Sequence, residues 1–166
     1  MKNFLLGAGS GILFLAIIIS IYFFSGFFNI ATDANHPIID ASLDKIIDRS
    51  TSFHSGKKLN ITKNNADIKK GAADFMETCV MCHGAPGYEK NNFAKYINPI
   101  APDFSEKGCI EDMTDESIFW VIKNGARMTA MPAFGKIESD ADIQNDILFI
   151  KELMNLKEAD IKKLLK

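Results

Sequence analysis

Apolar and polar positions divide the chain into stretches of different character. Phe4 to Ile30 is an unbroken run without charge, FLLGAGSGILFLAIIISIYFFSGFFNI. A helix needs roughly 20 such residues to cross a bilayer. The apolar region of a cleavable signal is usually about 7–15 residues and ends in small ones. This run is longer and ends in Phe27, Phe28 and Ile30, so it reads as an uncleaved anchor. From Asp33 to Asn65 the chain turns polar, with Pro37 and the cluster Ser50, Thr51, Ser52. Leu43, Ile46, Ile47 and Ser50 fall there at helical spacing and predict a short amphipathic helix near Asp40–Arg49. Ile68, Ala72, Phe75, Met76 and Cys79 predict a helix over Asp67–Val80, with Asn64 or Asn65 at its cap. A second helix is predicted over Thr114–Asn124, capped by Thr114 or Asp115 and ended by Gly125. Asp142–Met154 is a third, with Ile143, Ile147, Ile150 and Met154 in one stripe. Asn155-Leu156-Lys157-Glu158 has capping-box character and predicts a short last helix towards Lys166. Strand-like runs are absent. The pattern predicts an all-α protein: an anchor over 1–32, a linker over 33–65, a helical domain over 66–156 and a short tail over 157–166.

Composition adds exclusions. With 47% hydrophobic and 24% charged residues, the chain of 166 residues has the make-up of a folded protein. Of its 19 Lys and Arg only Lys2 precedes Asp33, so the remainder carries 18 against 21 Asp and Glu. That excludes a basic nucleic-acid binder, which needs clustered positive charge. Lys2 precedes the apolar run, and Asp33, Asp40 and Asp44 follow it before any second lysine. Positive charge stays in the cytoplasm, so the bulk of the chain is expected outside it. Three cysteines are too few for a disulfide framework.

Two of those cysteines form Cys79-Val80-Met81-Cys82-His83, the C-x-x-C-H spacing of haem c attachment. Two thiols three positions apart near a helix end can each add to one haem vinyl group. The histidine that follows is then carried under the iron as its proximal ligand. A thioredoxin-like redox pair needs a surrounding βαβ pattern, and a structural zinc site needs another Cys/His pair where only Cys109 remains. Cys109 itself reads as a small packing residue. Methionine sulfur is the usual sixth ligand of an electron-transfer haem. Met113, Met128, Met131 and Met154 follow His83. Met131 is the favoured candidate, because Pro132 behind it holds the backbone extended; Met128 is the rival. His36 and His54 lie in the polar segment, where a histidine is solvated or at most joins a metal site. Trp120, the single tryptophan, reads as a core or haem-edge residue.

The chain at this point resembles a membrane-anchored class I (mono-haem) cytochrome c of bacterial type. The likeness runs over roughly Ala66 to Leu153. It rests on Gly71-Ala72-Ala73-Asp74-Phe75, Cys79 to Ala85, Pro102-Asp103-Phe104, Ile122-Lys123-Asn124-Gly125 and Met131-Pro132-Ala133-Phe134-Gly135. The resemblance implies one covalently bound haem c held by Cys79, Cys82, His83 and Met131 in the class I helical fold. It implies that Gly71 and Phe75 pack against the C-terminal helix near Phe149. It also implies that a proline carbonyl accepts a hydrogen bond from the proximal histidine, with Pro102 the best match and Pro99 the rival. Arg127 is a candidate partner for a haem propionate. The 33–65 segment lies outside the likeness.

Six-coordinate iron leaves no vacant position for a substrate, so the expected activity is one-electron transfer without catalysis. The expected place is the bacterial cytoplasmic membrane, with the haem domain on the periplasmic side. The expected partners are redox proteins: a membrane dehydrogenase, a quinol-oxidising complex or a terminal oxidase. Two alternatives stay open. One is a gas sensor or peroxidase-like enzyme with an open sixth position; the other is a structural subunit of a larger complex.

Overall fold

A computed structural model describes the chain from Lys2 to Lys166, apart from residues 35, 57, 58, 60, 62–64, 107 and 154. Its contacts divide it into two units, residues 1–35 and 36–166. The first is essentially one helix, α1 (Lys2–Phe24). It stops six residues short of the end of the apolar run. Ser10 and Ser20 donate their hydroxyls to the carbonyls of Gly7 and Ala16. These two hydroxyls are thus satisfied within the helix, as lipid demands. Large apolar side chains from Phe4 to Phe24 lie exposed along it.

The second unit is helical, and its described residues contain no strand. Helix α2 (Pro37–His54) is longer than its apolar spacing predicts. Pro37 opens it at a position whose missing N–H costs nothing. Ser and Thr are weak helix formers, yet the helix continues through Ser50–Ser52. Packing on a later helix carries it: Thr51 is buried, and the His54 ring stacks on Trp120 with centroids 5.6 Å apart.

Helix α3 (Asn65–Asp74) continues into a wide π turn, Phe75–Cys79, and then α4 (Val80–His83). The expected single helix to Val80 is thus a continuous helical path to His83 with its register shifted part-way. Such wide turns gather at functional sites. Asn65 is the first helical residue rather than a cap, and Asn64 lies outside the described residues. Gly84, at φ 65°, ends the path and donates its N–H to Val80 O at 2.8 Å.

Helix α5 (Asp115–Asn124) has Thr114 as its cap, with Oγ1 accepting from Ser117 N at 3.2 Å. Helix α6 (Asp140–Leu153) begins two residues before its expected start at Asp142. Ser139 Oγ accepts from Asp142 N, and Asp142 Oδ2 accepts from Ser139 N at 3.2 Å, which is a capping box. Met154 lies outside the described residues. Helix α7 (Glu158–Leu164) is capped by Asp160, which accepts the Lys157 N–H at 3.0 Å. The box therefore falls two residues after its expected place. Short 3-10 turns at Asn92–Tyr96 and Phe134–Lys136 are additions; three to five residues carry too little periodicity to predict them.

The core centres on the crossing of α3 and α6. A Cβ on Gly71 would lie 2.1 Å from Asn145 O, so only glycine permits this approach. One turn on, the Phe75 and Phe149 rings meet edge to face at 5.4 Å. Ile143, Ile147, Leu153 and Ile161 complete a fully buried set. At about 25 cal/mol per Å², each such side chain contributes roughly 1.5–3 kcal/mol.

Candidate haem site

The π turn and α4 carry the cysteines to the edge of this core. Cys79 packs against it, half-buried, and Cys82 is also half-buried. Burial, followed by the carboxylates of Asp146, Glu138 and Asp74, pushes the Cys79 thiol up to about 12, against the hydrogen bond from Thr78. A disulfide-exchange pair needs the opposite, a thiol lowered towards neutrality. This environment suits a thiol that becomes a thioether.

His83 ends α4; two contacts set its ring and a third residue braces the segment that makes them. Its Nδ1 lies 3.0 Å from the carbonyl of Pro102, to which it donates. That assigns the proton to Nδ1 and leaves the Nε2 lone pair for a metal. Phe104 stacks on the ring at 4.6 Å and 17°, and its N–H donates to His83 O at 2.8 Å. Burial lowers the pKa of the ring, against the Pro102 hydrogen bond and with help from the Lys90 charge, so it stays neutral. Lys90 is the third element. Its side chain is only 10% exposed and lies 3.3 Å from Asp103. Its Nζ donates to Ala101 O at 2.6 Å. Lysine thus clamps the segment whose next carbonyl orients His83.

The second candidate ligand sits in the loop between α5 and α6. Met131 is half-buried and packs on the same core as Cys79. It lines an open cavity of about 370 Å³ with Trp120, Asn124, Gly125, Ala126 and Arg127. Met131 N donates to Thr129 Oγ1 at 3.0 Å, and Met131 O accepts from Ala126 N at 3.2 Å. Gly125 has φ 69°, and a Cβ there would lie 2.8 Å from Met131 O. Met128, by contrast, is 70% exposed with φ 65°. Arg127 is exposed at the rim of the cavity.

Sequence reasoning missed the ring stacking of Phe104 and the lysine clamp. It also missed a buried carboxyl, Asp146. Asp146 left a legible signal: it falls on the apolar stripe with Ile143, Ile147 and Ile150. Lys90 left none, because its role depends on a loop 11 residues away. His54 donates from Nδ1 to Ser50 O at 2.8 Å. Among the described residues no group of three His, Cys, Asp or Glu is placed to hold a metal ion.

Residues 66–150 match the family described as cytochrome c oxidase, cbb3-type, subunit III. The chain belongs to this family. It is a cytochrome c, and its C-x-x-C-H motif carries one covalently bound haem. No curated protein and no solved structure gives a significant match to it. The residues present fit the group: two thiols on one helical end, a histidine with Nε2 left free, and a thioether beside a cavity. The cytochrome's α1 is long and apolar enough, over Gly7–Phe24, to serve as a single-pass anchor.

Proposed function

We propose that the cytochrome is a membrane-anchored one-electron carrier acting outside the cytoplasm, as a subunit of a terminal oxidase complex or beside one. The observation that carries this reading is the His83 ring, pinned through Nδ1 to Pro102 O at 3.0 Å directly after the two cysteines. The family description adds the oxidase context. Bound haem supplies a one-electron iron couple. Cys79 and Cys82 would tether it, and His83 Nε2 and Met131 Sδ would be the donors to its iron. Met131 is preferred to Met128 because it is half-buried and lines the cavity, whereas Met128 points to solvent. Arg127, at the rim of that cavity, is the proposed partner of a haem propionate. Phe104 and Lys90 hold the histidine loop in position. Lys2 before the apolar helix, with Asp33, Asp40 and Asp44 after it ahead of any second lysine, supports an extracytoplasmic haem domain, on the periplasmic face of a bacterial cytoplasmic membrane. The anchor then keeps the carrier at high effective concentration near membrane-bound donors and acceptors.

The test is the absorption spectrum of the reduced protein with and without carbon monoxide. An unchanged low-spin haem c spectrum is expected, and Met131→Ala is expected to open the iron and lower the potential while Met128→Ala does neither. A carbon monoxide shift in the unmodified protein removes the carrier reading in favour of a sensor or enzyme.

A further inference from the structure

Helix α2 turns one face towards α5 and leaves another open. On the inner face Thr51 is buried, Leu43, Ile47 and Ser50 are half-buried, and the His54 ring stacks on Trp120. On the outer face Ile38, Ile46 and Phe53 are 81%, 62% and 83% exposed, and Ile39 is exposed beside them. At about 100° per residue, these four side chains share one arc of roughly 100° that runs the length of the helix. A contiguous exposed apolar face marks a contact with protein or membrane, and the charges around this one decide between them. Arg49 falls within the arc beside Ile38, and Lys45 lies just outside it. The acids Asp44 and Asp48 lie further round the helix, away from the arc. Isoleucine and phenylalanine edged by lysine and arginine suit a helix lying flat in a lipid interface. The apolar side chains enter the acyl boundary and the cations reach the phosphates.

The connectivity of the chain points to the same surface. The apolar run ends at Ile30 and α2 opens at Pro37. The seven steps between them span at most about 25 Å when fully extended. Phe27 and Ile30 are themselves exposed apolar side chains beyond the end of α1. With α1 in a bilayer, the lipid surface is always within reach of α2.

We propose that the outer face of α2, through Ile38, Ile39, Ile46 and Phe53 with Lys45 and Arg49, docks onto the phospholipid surface of the membrane that α1 spans. This rests on the anchor part of the reading above and not on the haem ligands. Docking sets the orientation of the haem domain, which the anchor alone leaves free. Helix α5 packs on the inner face of α2, and packed helix axes lie about 8–10 Å apart. It is thereby held within one helix layer of the lipid headgroups. Trp120 of α5 also lines the cavity beside Met131. Docking therefore fixes how that cavity is turned against the membrane, and restricts the face that a redox partner in the same bilayer can meet.

The experiment is fluorescence quenching on the full-length haem-loaded protein in vesicles of phosphatidylcholine with a minority of phosphatidylglycerol. A nitrobenzoxadiazole probe is attached at one position per sample. Ile46→Cys places it on the outer face, Asp44→Cys on the side away from the arc, and Ile17→Cys within α1. Each is combined with Cys109→Ser, so that one free thiol remains beside the two thioethers. The quenchers are aqueous iodide and nitroxide-bearing lipid. At position 46 we expect blue-shifted emission, strong quenching by the lipid, and iodide quenching several-fold weaker than at position 44. Phe53→Cys, two turns on, repeats the measurement if the first variant does not fold. A probe at position 46 open to iodide, with the probe at position 17 quenched by lipid, overturns the docking and leaves the anchor. A probe at position 46 shielded from both quenchers also overturns it, because a second copy or another protein then covers the face. A probe at position 17 open to iodide removes the anchor reading itself, and the docking with it.

Discussion

The His83 loop depends on the bulk of side chains, the Phe104 ring and the Lys90 stem, and the Met131 loop on the absence of one at Gly125. Around His83, the Pro102 carbonyl and the Phe104 ring meet the imidazole from one segment, and the Lys90 ammonium braces that segment through Ala101 O. Around Met131, Gly125 lets two backbone segments close to a distance that no Cβ permits, and Thr129 fastens the turn. The two constructions fail in opposite ways. The first is weakened by taking atoms away, the second by adding them.

Three substitutions sharpen that contrast. Phe104→Ala removes a buried ring that stacks on both His83 and Phe75. It is expected to cost about 3–5 kcal/mol in denaturant unfolding of the loaded protein. It should also broaden the signals of the His83 ring in magnetic resonance spectra while leaving Met131 bound.

Gly125→Ala adds one methyl group. Its backbone conformation alone costs about 1–3 kcal/mol, and the overlap with Met131 O adds to that. The expected result is a loosened Met131, seen as carbon monoxide binding by a protein whose His83 signals are unchanged. If both variants perturb the same ligand, the two loops are not separate constructions.

Lys90→Met is the mildest. It leaves Ala101 O and Asp103 without their cation, at about 1.5 kcal/mol. It also removes a positive charge close to His83, so the potential should fall. Lys90→Arg, which keeps the charge, should restore most of it; a potential equally low in both variants would show that shape and not charge sets it.

The sequence carried much of this design. A motif of five residues named the thioether cysteines and the histidine. The glycine at Gly71 and the aromatic at Phe75 announced the helix crossing through the family likeness. Three of the main helices were legible because each has an apolar stripe and a cap that act locally. What could not be read were effects without a local signature. The π turn at Phe75–Cys79 has the composition of an ordinary helix. Helix α2 runs on through poor helix formers only because Thr51 and His54 find α5 beneath them.

The two aspartates of α6 show the limit most clearly. Asp142 and Asp146 are one turn apart and chemically identical. Asp142 meets Lys70 and Ser139, which hold its carboxyl down at about 2. Asp146 is buried, and burial, then the charge of Glu138, pushes it up to about 8. The sequence by itself determined the anchor, the haem attachment and the helical class, because each depends on residues adjacent in the chain or repeating along it. Only the tertiary structure decided which carboxyl keeps its proton and which lysine braces the histidine. Both follow from charges and dipoles brought together in space by segments far apart in sequence.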